Sequence, residues 1–147
     1  MALARSKLDS FAQNPERHAR YGTTALMVTL ITDAPEIKRE AIAAGEAAAK
    51  SGEPGYLGLH LEGPHLSIAR KGTHDPALIR PMTEADLTYL EGVAGSFGLA
   101  MITVAPESVT PEQVKRLVAA VLLALSSGAA LADTSNQWRL QFSGAAE

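Results

Sequence analysis

The chain has 147 residues, 46% of them hydrophobic and 20% charged, and its net charge is −3. This composition is typical of one soluble globular domain, and the acidic balance argues against a nucleic-acid partner, which needs a basic face. The absence of cysteine excludes disulfides, thiolate metal sites and a cysteine nucleophile. The longest apolar stretch, Leu117 to Leu125, is too short for a membrane span of about 20 residues, and charges near the N-terminus argue against a signal peptide. We therefore expect a cytoplasmic protein with no membrane partner.

The first predicted elements are helical. Residues 3–12 could form a short helix, and Asn14 with Pro15 is a clearer helix start that Gly22 then ends. Residues 23–31 are a near-continuous apolar and β-branched run, which is typical of a parallel strand covered on both faces.

The next helix is predicted over Ala34 to Lys50. Asp33 is the expected N-cap, with Glu36 three residues later, and Gly52 is the expected end. Its core-facing stripe should be Ile37, Ala41, Ala44 and Ala48. A second strand then runs from Gly55 to Glu62.

A loop of about twenty residues follows this strand, and loops of that length in a compact domain are usually functional. Thr83 and Asp86 predict a helix that ends at Gly92 or Gly95. Leu99 to Val104 reads as a third strand.

The strongest helix start in the chain is Thr110, Pro111 and Gln113, which combines an N-cap, a proline and a capping-box glutamine. The buried side of this helix should carry Val114, Leu117, Val118 and Val121. We expect one domain over residues 1–125 and an unassigned tail over residues 126–147.

This alternation of apolar strands and crossover helices indicates an α/β fold with a parallel sheet. The sheet is either an open doubly wound sheet or part of an eight-stranded barrel. Both architectures place functional sites at the carboxyl ends of the strands, where the loop after Glu62 lies.

Side chains of the second strand alternate between two faces. Tyr56, Gly58, His60 and Glu62 should share one face, while the leucines at 57, 59 and 61 face the helices. Glu62 is then either a functional carboxylate or a strand-end residue that pairs with Arg70 or Lys71.

The other polar residues have structural alternatives of their own. His60 is best read as an interior histidine that is hydrogen-bonded to a neighbour, and His65 and His74 as solvated loop residues. Ser67 lacks the context of a nucleophile, and Glu107 is best read as a cap or loop contact.

Several motifs in order resemble the signature of the N-acetylglucosamine-6-phosphate deacetylase family of metal-dependent amidohydrolases. In chain order they are Tyr21-Gly22-Thr23-Thr24, His60-Leu61-Glu62-Gly63-Pro64, Lys71-Gly72-Thr73-His74-Asp75-Pro76 and Val104-Ala105-Pro106-Glu107. The resemblance covers roughly residues 18–120.

The resemblance implies a (β/α)8 barrel and hydrolysis of the acetamide of an amino-sugar phosphate to acetate and the free amine. It implies that Glu62 binds a divalent metal ion, such as zinc or iron, and that Thr73 and His74 contact the sugar substrate. It gives no role to His65.

The chain also departs from the family pattern. No histidine follows His74, although the family takes two further metal ligands from later strands, and no general-base aspartate can be placed, since Asp133 stands in the wrong context. A barrel needs about 250 residues, so we expect a central arc of three or four βα units that is weak or inactive alone or associates with other copies.

Three hypotheses follow from the sequence. The chain is a partial member of the deacetylase family, or a non-catalytic remnant that binds a sugar phosphate or serves in association. The third, an independent small doubly wound domain, is disfavoured by the order of the motifs.

Overall fold

The computed structural model describes residues 18–126 and 141–142. The predicted helix over residues 3–12 and the helix start at Asn14 lie outside this part. The elements, in chain order, are β1 (Leu26–Leu30), α1 (Pro35–Ser51), β2 (Tyr56–Glu62), α2 (Glu84–Val93), β3 (Leu99–Val104), α3 (Pro111–Ser126) and β4 (Gln141–Phe142). Two short 3-10 turns, Ile68–Arg70 and Pro106–Ser108, lie in the loops after β2 and β3.

The strands form one parallel sheet in the order β1-β2-β3-β4. The α/β class with a parallel sheet is therefore confirmed. The fourth strand has two residues, which pair with Thr103 and Val104 of β3 and lie within the stretch that had no predicted structure.

The core lies on one side of this sheet. Leu59 and Leu61 of β2 are 0% and 2% exposed, as their alternation predicted. The same cluster contains residues from all three helices: Ile42 and Ala44 from α1, Leu87 and Leu90 from α2, and Leu117 from α3. Each buried leucine stabilises the fold by about 1.5–3 kcal/mol. The three helices therefore cover the same face of the sheet.

Two helix starts form as predicted. In α2 the Thr83 side chain accepts from the amide of Asp86, and the Asp86 carboxylate accepts from the amide of Thr83. In α3 the amide of Gln113 donates to Thr110 Oγ1 (3.2 Å), and the amide of Thr110 donates to Gln113 Oε1 (2.8 Å). Both are capping boxes, which satisfy amide groups that have no partner inside the helix.

The predicted start of α1 is wrong by one residue. Ala34 occupies the N-cap position without a side-chain cap bond, and Asp33 Oδ1 instead accepts from the Ala34 amide (2.7 Å). The helix starts at Pro35, so Asp33 is too far back to reach the amides of the first turn. The helix ends as predicted, with Gly52 in the left-handed region (φ 66°).

The buried stripe of α1 differs from the prediction at one position. Ala41, Ala44 and Ala48 are buried as expected. Ile42 is also buried (2% exposed), whereas Ile37, which was predicted to be buried, is only partly so. The helix is therefore rotated slightly relative to the predicted stripe.

The predicted faces of β2 are wrong at Tyr56. The pairing with β1 shifts between Leu26 and Met27, which are opposite Tyr56 and Gly58, so β2 has one extra residue there. A Cβ on Gly45 of α1 would lie 2.8 Å from both Tyr56 Oη and Leu59 Cδ1, so Tyr56 packs on the helical side. A bulge of this kind breaks the alternation of side chains, so Tyr56 does not share the face of His60 and Glu62.

Strand β1 is shorter and more exposed than predicted. It covers five residues, Thr29 is exposed, and Ile31, beyond the strand end, is 51% exposed. The predicted coverage of this strand on both faces is not found. The helices among the described residues all pack on one face of the sheet.

Candidate functional site

Glu62, Thr32 and His74 meet at the carboxyl edge of the sheet. Glu62 is the last residue of β2, Thr32 follows the end of β1, and His74 comes from the loop after β2. Parallel strands bring their carboxyl ends to one edge of a sheet, so residues from separate segments meet here.

The side chains of Glu62 and His74 face each other. Nε2 of His74 lies 3.6 Å from Oε1 of Glu62, and the two side chains are 10% and 33% exposed for His74 and Glu62 respectively. This separation exceeds the length of a good hydrogen bond but allows attraction between a carboxylate and an imidazole N–H. The structure thus brings together two of the three residues that the sequence singled out.

Thr32 connects this pair, and the sequence reasoning missed it. Its hydroxyl lies 2.9 Å from His74 Nδ1 and 3.2 Å from the carbonyl oxygen of Glu62. Its own amide donates to His74 Nδ1 over 3.4 Å, and the residue is 8% exposed. The available signal was a polar residue directly after an apolar strand, at the edge where sites form.

Gly63 makes this approach possible. It has φ 91°, and a Cβ at this position would lie 2.0 Å from Thr32 Oγ1. Any side chain would therefore push Thr32 away from the main chain that follows Glu62. The glycine of the His60-Leu61-Glu62-Gly63-Pro64 motif thus has a structural explanation.

His60 connects three strands beneath Glu62. Its Nδ1 lies 3.1 Å from Thr29 Oγ1 on β1, and its Nε2 lies 2.8 Å from Thr103 Oγ1 on β3. Burial lowers the pKa of His60, while the charge of Glu62 opposes this shift. The predicted hydrogen bonding of His60 to its neighbours is confirmed, and the residue is partly buried.

Thr73 is exposed and lies next to His74, whose amide donates to the carbonyl of Lys71 (3.0 Å). Its side chain is therefore open to solvent. Its assignment to substrate binding stays a prediction.

His65 and His74 are not the solvated loop residues that their positions suggested. His65 is 1% exposed, and its Nδ1 lies 3.1 Å from the carbonyl oxygen of Arg80. Its Nε2 has no hydrogen-bond partner among the residues that the structure describes. Burial lowers the pKa of His65, and the hydrogen bond to Arg80 opposes this shift. The loop after β2 is packed onto the domain, which buries His65 and leaves the side chain of His74 10% exposed.

Glu107 follows β3 and is exposed. A hydrogen bond from Ser67 lowers the pKa of Glu107, and the charge of Arg70 adds to the effect. This contact agrees with the structural interpretation of Glu107, since it joins the loop after β3 to the loop after β2.

Part of this chain is similar to known proteins. No protein-family model matches it. It is 49% identical over 105 residues to N-acetylgalactosamine-6-phosphate deacetylase of Shewanella sp. (strain ANA-3), covering 71% of this chain and 26% of that protein. It is 33% identical over 120 residues to human N-acetylglucosamine-6-phosphate deacetylase, covering 77% of this chain and 28% of that protein.

Solved structures give the same result. The N-acetylglucosamine-6-phosphate deacetylase of Thermotoga maritima has a TM-score of 0.63 and 30% identity, over 74% of this chain and 29% of that one. The enzyme of Pasteurella multocida has a TM-score of 0.57 and 32% identity, over 65% of this chain and 26% of that one. This chain is a partial match to the N-acetylglucosamine-6-phosphate deacetylase family.

The match covers a limited part of these deacetylases. The chain spans about a quarter of the length of the curated relatives, 26% of one and 29% of another. Within the described ranges, no helix is long and apolar enough to cross a membrane. A cytoplasmic location stays a prediction.

The resemblance to metal-dependent deacetylases raises the question of metal ligands. Among residues 18–126 and 141–142, no three His, Asp or Glu side chains are grouped so that they could hold a metal ion. Glu62 supplies one carboxylate and faces His74. These residues by themselves do not make a complete metal site, so a metal ion would need ligands beyond the described cluster.

Proposed function

We propose that this chain is a segment of an amino-sugar-phosphate deacetylase, which hydrolyses the acetamide of an N-acetylhexosamine 6-phosphate to acetate and the free amine. The observation that carries the proposal is the arrangement of Glu62, Thr32 and His74 at the carboxyl edge of a parallel sheet. Two of these residues belong to the motifs that resemble the deacetylase family. The similarity to named deacetylases supports the same reaction.

The proposal includes a fold, namely an arc of a (β/α)8 barrel formed by a domain over residues 1–125. The strands follow each other in sequence order, without the reversal that marks a doubly wound sheet. The helices α1, α2 and α3 all pack on one face, whereas a doubly wound sheet has helices on both. Both observations favour the barrel over the open alternative.

In this proposal Glu62 is the residue through which the segment contributes to holding a divalent metal ion. Such an ion, when bound, polarises a carbonyl group and lowers the pKa of a water molecule. His74 binds the sugar through a ring N–H, and Thr73 lies beside it on the exposed side. The described residues provide no aspartate in the position of a general base, and Asp133 lies outside them.

Two substrates of the same class are candidates, and they differ at one sugar hydroxyl. The sequence motifs resemble those of enzymes for N-acetylglucosamine 6-phosphate, but the relative with 49% identity is named for N-acetylgalactosamine 6-phosphate. The human enzyme, which is named for N-acetylglucosamine 6-phosphate, is 33% identical. This difference favours the galacto epimer for this chain.

The test is acetate release from both epimers by the full chain, with added zinc, iron or manganese. Any release by the chain alone should be weak, should require metal and should be lost in Glu62→Gln, which keeps the shape of the side chain and removes its charge. The control is Glu107→Gln, since Glu107 is also a carboxylate that follows a strand end but is held by Ser67. Equal rates in the two variants would contradict the role of Glu62.

The alternative is a non-catalytic remnant that binds a sugar phosphate or associates with other chains. It is favoured by the short span of the match and by the lack of a three-ligand group in the part of the chain that the structure describes. Isothermal titration calorimetry that detects binding of the sugar phosphate, without acetate release under any metal condition, would support it. Light scattering would show whether copies of the chain associate.

A further inference from the structure

A pocket of about 460 Å³ lies between α1, α2 and the loop after β2. Its volume falls in the range of pockets that hold small organic molecules. The described residues that line it include Lys38 of α1, Arg80 of the loop and Tyr89 of α2. None of the three side chains that meet at the carboxyl edge of the sheet lines it. The pocket is therefore separate from the site described above.

Lys38 is a cation in this pocket without a direct partner. The residue is half-buried, and among residues 18–126 and 141–142 its Nζ forms no hydrogen bond or ion pair. Burial lowers the pKa of Lys38, the charge of Asp86 opposes this shift, and the charge of Arg80 adds to it. A partly desolvated ammonium group is unfavourable without a partner, and an anion bound beside it would replace the interactions lost with water.

The other two cations that line the pocket are already paired. Arg80 is bound through two nitrogens to Asp86, with Nη2 2.7 Å from Oδ1. Arg39 forms an ion pair with a glutamate of its own helix. With Asp33, the pocket is lined by three basic and two acidic side chains, which gives a net charge of +1. This excess fits a ligand with a single negative charge, placed at Lys38.

The rest of the lining is largely apolar and includes Pro35, Pro64, Ala77, Leu78 and the ring of Tyr89. Leu78 and Tyr89 are only half-buried, so part of their apolar surface is open to a ligand. Burial of this surface would favour a molecule with an apolar body over a bare inorganic ion.

We propose that this pocket binds a small organic monoanion of the carboxylate class, whose charged group pairs with Lys38 and whose apolar body packs against Leu78 and Tyr89. The site goes beyond the proposed deacetylation, because it uses no residue of the sheet edge and needs no metal ion. It can therefore be tested without the amino-sugar substrate.

The test is an NMR titration of the ¹⁵N-labelled full chain with benzoate at about pH 7, where a carboxylic acid is ionised. We expect saturable shifts of the amide signals of Ala77, Leu78 and Ala85, which line the pocket. Benzamide has nearly the same shape without the charge, and it should bind roughly tenfold more weakly or not at all, because the hydrogen bond between two charged groups is lost. Inorganic phosphate lacks the apolar body and should also bind more weakly than benzoate.

The variants test the role of Lys38. Lys38→Gln should weaken benzoate binding by roughly tenfold, whereas Lys38→Arg, which keeps the charge, should retain it. The matched control is Lys50→Gln, at an exposed lysine in the last turn of the same helix, which should leave the affinity unchanged. Lys38→Met, which keeps an apolar side chain without the charge, replaces Lys38→Gln if that variant does not fold.

Three results would overturn the proposal: equal binding of benzoate and benzamide, an affinity in Lys38→Gln equal to that of the parent, or shifts that centre on Gly63 and His74 instead of the pocket. Equal affinity for inorganic phosphate and benzoate would overturn the assignment to an organic ligand. A parent chain without acetate release would count against the proposed function alone, since none of these measurements depends on that reaction.

Discussion

Nε2 of His74 lies 3.6 Å from Oε1 of Glu62, although one residue belongs to a loop and the other ends a strand. The loop reaches this position because Thr32, which follows a different strand, contacts the His74 ring. Three separate segments thus meet at one point of the sheet edge. Changes at this point should affect ligand binding and folding in distinguishable ways.

His74→Ala should weaken binding of an N-acetylhexosamine 6-phosphate by roughly tenfold or more, because a charge-assisted or neutral hydrogen bond contributes about 1–3 kcal/mol. Isothermal titration calorimetry measures the change. The control is His18→Ala, which alters an exposed histidine remote from Glu62 in the sequence. Equal dissociation constants for the two variants would argue against sugar binding by His74.

Gly63→Ala should destabilise the fold more than Gly22→Ala. Both glycines have similar positive φ angles, 91° and 89°, so each substitution carries a similar backbone strain of about 1–2 kcal/mol. Only at Gly63 would the new Cβ meet another atom, 2.0 Å from Thr32 Oγ1, whereas nothing lies within 4 Å at Gly22. Thermal unfolding of the two variants isolates this contact. An equal loss of melting temperature would show that Thr32 can move away without cost.

Asp86→Asn should destabilise the protein by about 1–3 kcal/mol at neutral pH, because it weakens the start of α2 and the bond to Arg80. Arg80 Nη2 donates to Asp86 Oδ1 (2.7 Å), and the Thr83 amide donates to Oδ2 (2.9 Å). The hydrogen bond from Arg80 holds the pKa of Asp86 well below its usual range, while burial opposes this shift.

The pH dependence follows from the sign of this shift. An unfolded aspartate has a pKa of about 3.9, so the stabilisation by Asp86 is complete above that value and is lost as the pH falls toward the lower folded pKa. Urea unfolding at about pH 7 and pH 3 should show a smaller difference in the free energy of unfolding between the parent and Asp86→Asn at the lower pH. Glu84→Gln, at another first-turn carboxylate of α2, is the control for the helix dipole together with the ion pair between Glu84 and Arg116. A gap that is independent of pH would contradict the assignment.

The stability of the parent chain should fall as the pH decreases from about 6.5 to about 5, and His65→Phe should reduce this fall. Burial lowers the pKa of His65, so the unfolded chain takes up a proton in this range before the folded chain does. Stability then falls with decreasing pH by at most about 1.4 kcal/mol per pH unit. The charged groups near the ring are Lys38, Arg80 and Asp86.

Urea unfolding over this pH range measures the slope, with His18→Phe at an exposed site as the control. The variant loses the bond to the Arg80 carbonyl, which costs about 1 kcal/mol at neutral pH. The free energy of unfolding of His65→Phe should nevertheless approach that of the parent as the pH falls. An unchanged slope would mean that the buried ring is not the source of the pH dependence.

Much of the secondary structure could be predicted from local patterns. The capping boxes at Thr83 and Thr110 and the third strand occur as expected, because each depends on residues only a few positions apart. The bulge between Tyr56 and Gly58 was not predicted, since it depends on how β2 pairs with β1. The short strand at Gln141 was also missed, since two residues carry too weak a pattern.

The motif around Glu62 and the loop with Thr73 and His74 predicted a candidate site at this edge of the sheet, and the structure brings Glu62 and His74 together there. This prediction was possible from local sequence for two reasons. The alternation of side chains in a strand sets the face of Glu62, and the length of the loop after Glu62 is typical of a functional loop. Only the tertiary structure brought Thr32 against the His74 ring and buried His65 under the loop. Those contacts join segments far apart in the chain, and they form only when the parallel strands align their carboxyl ends and the loop packs over them.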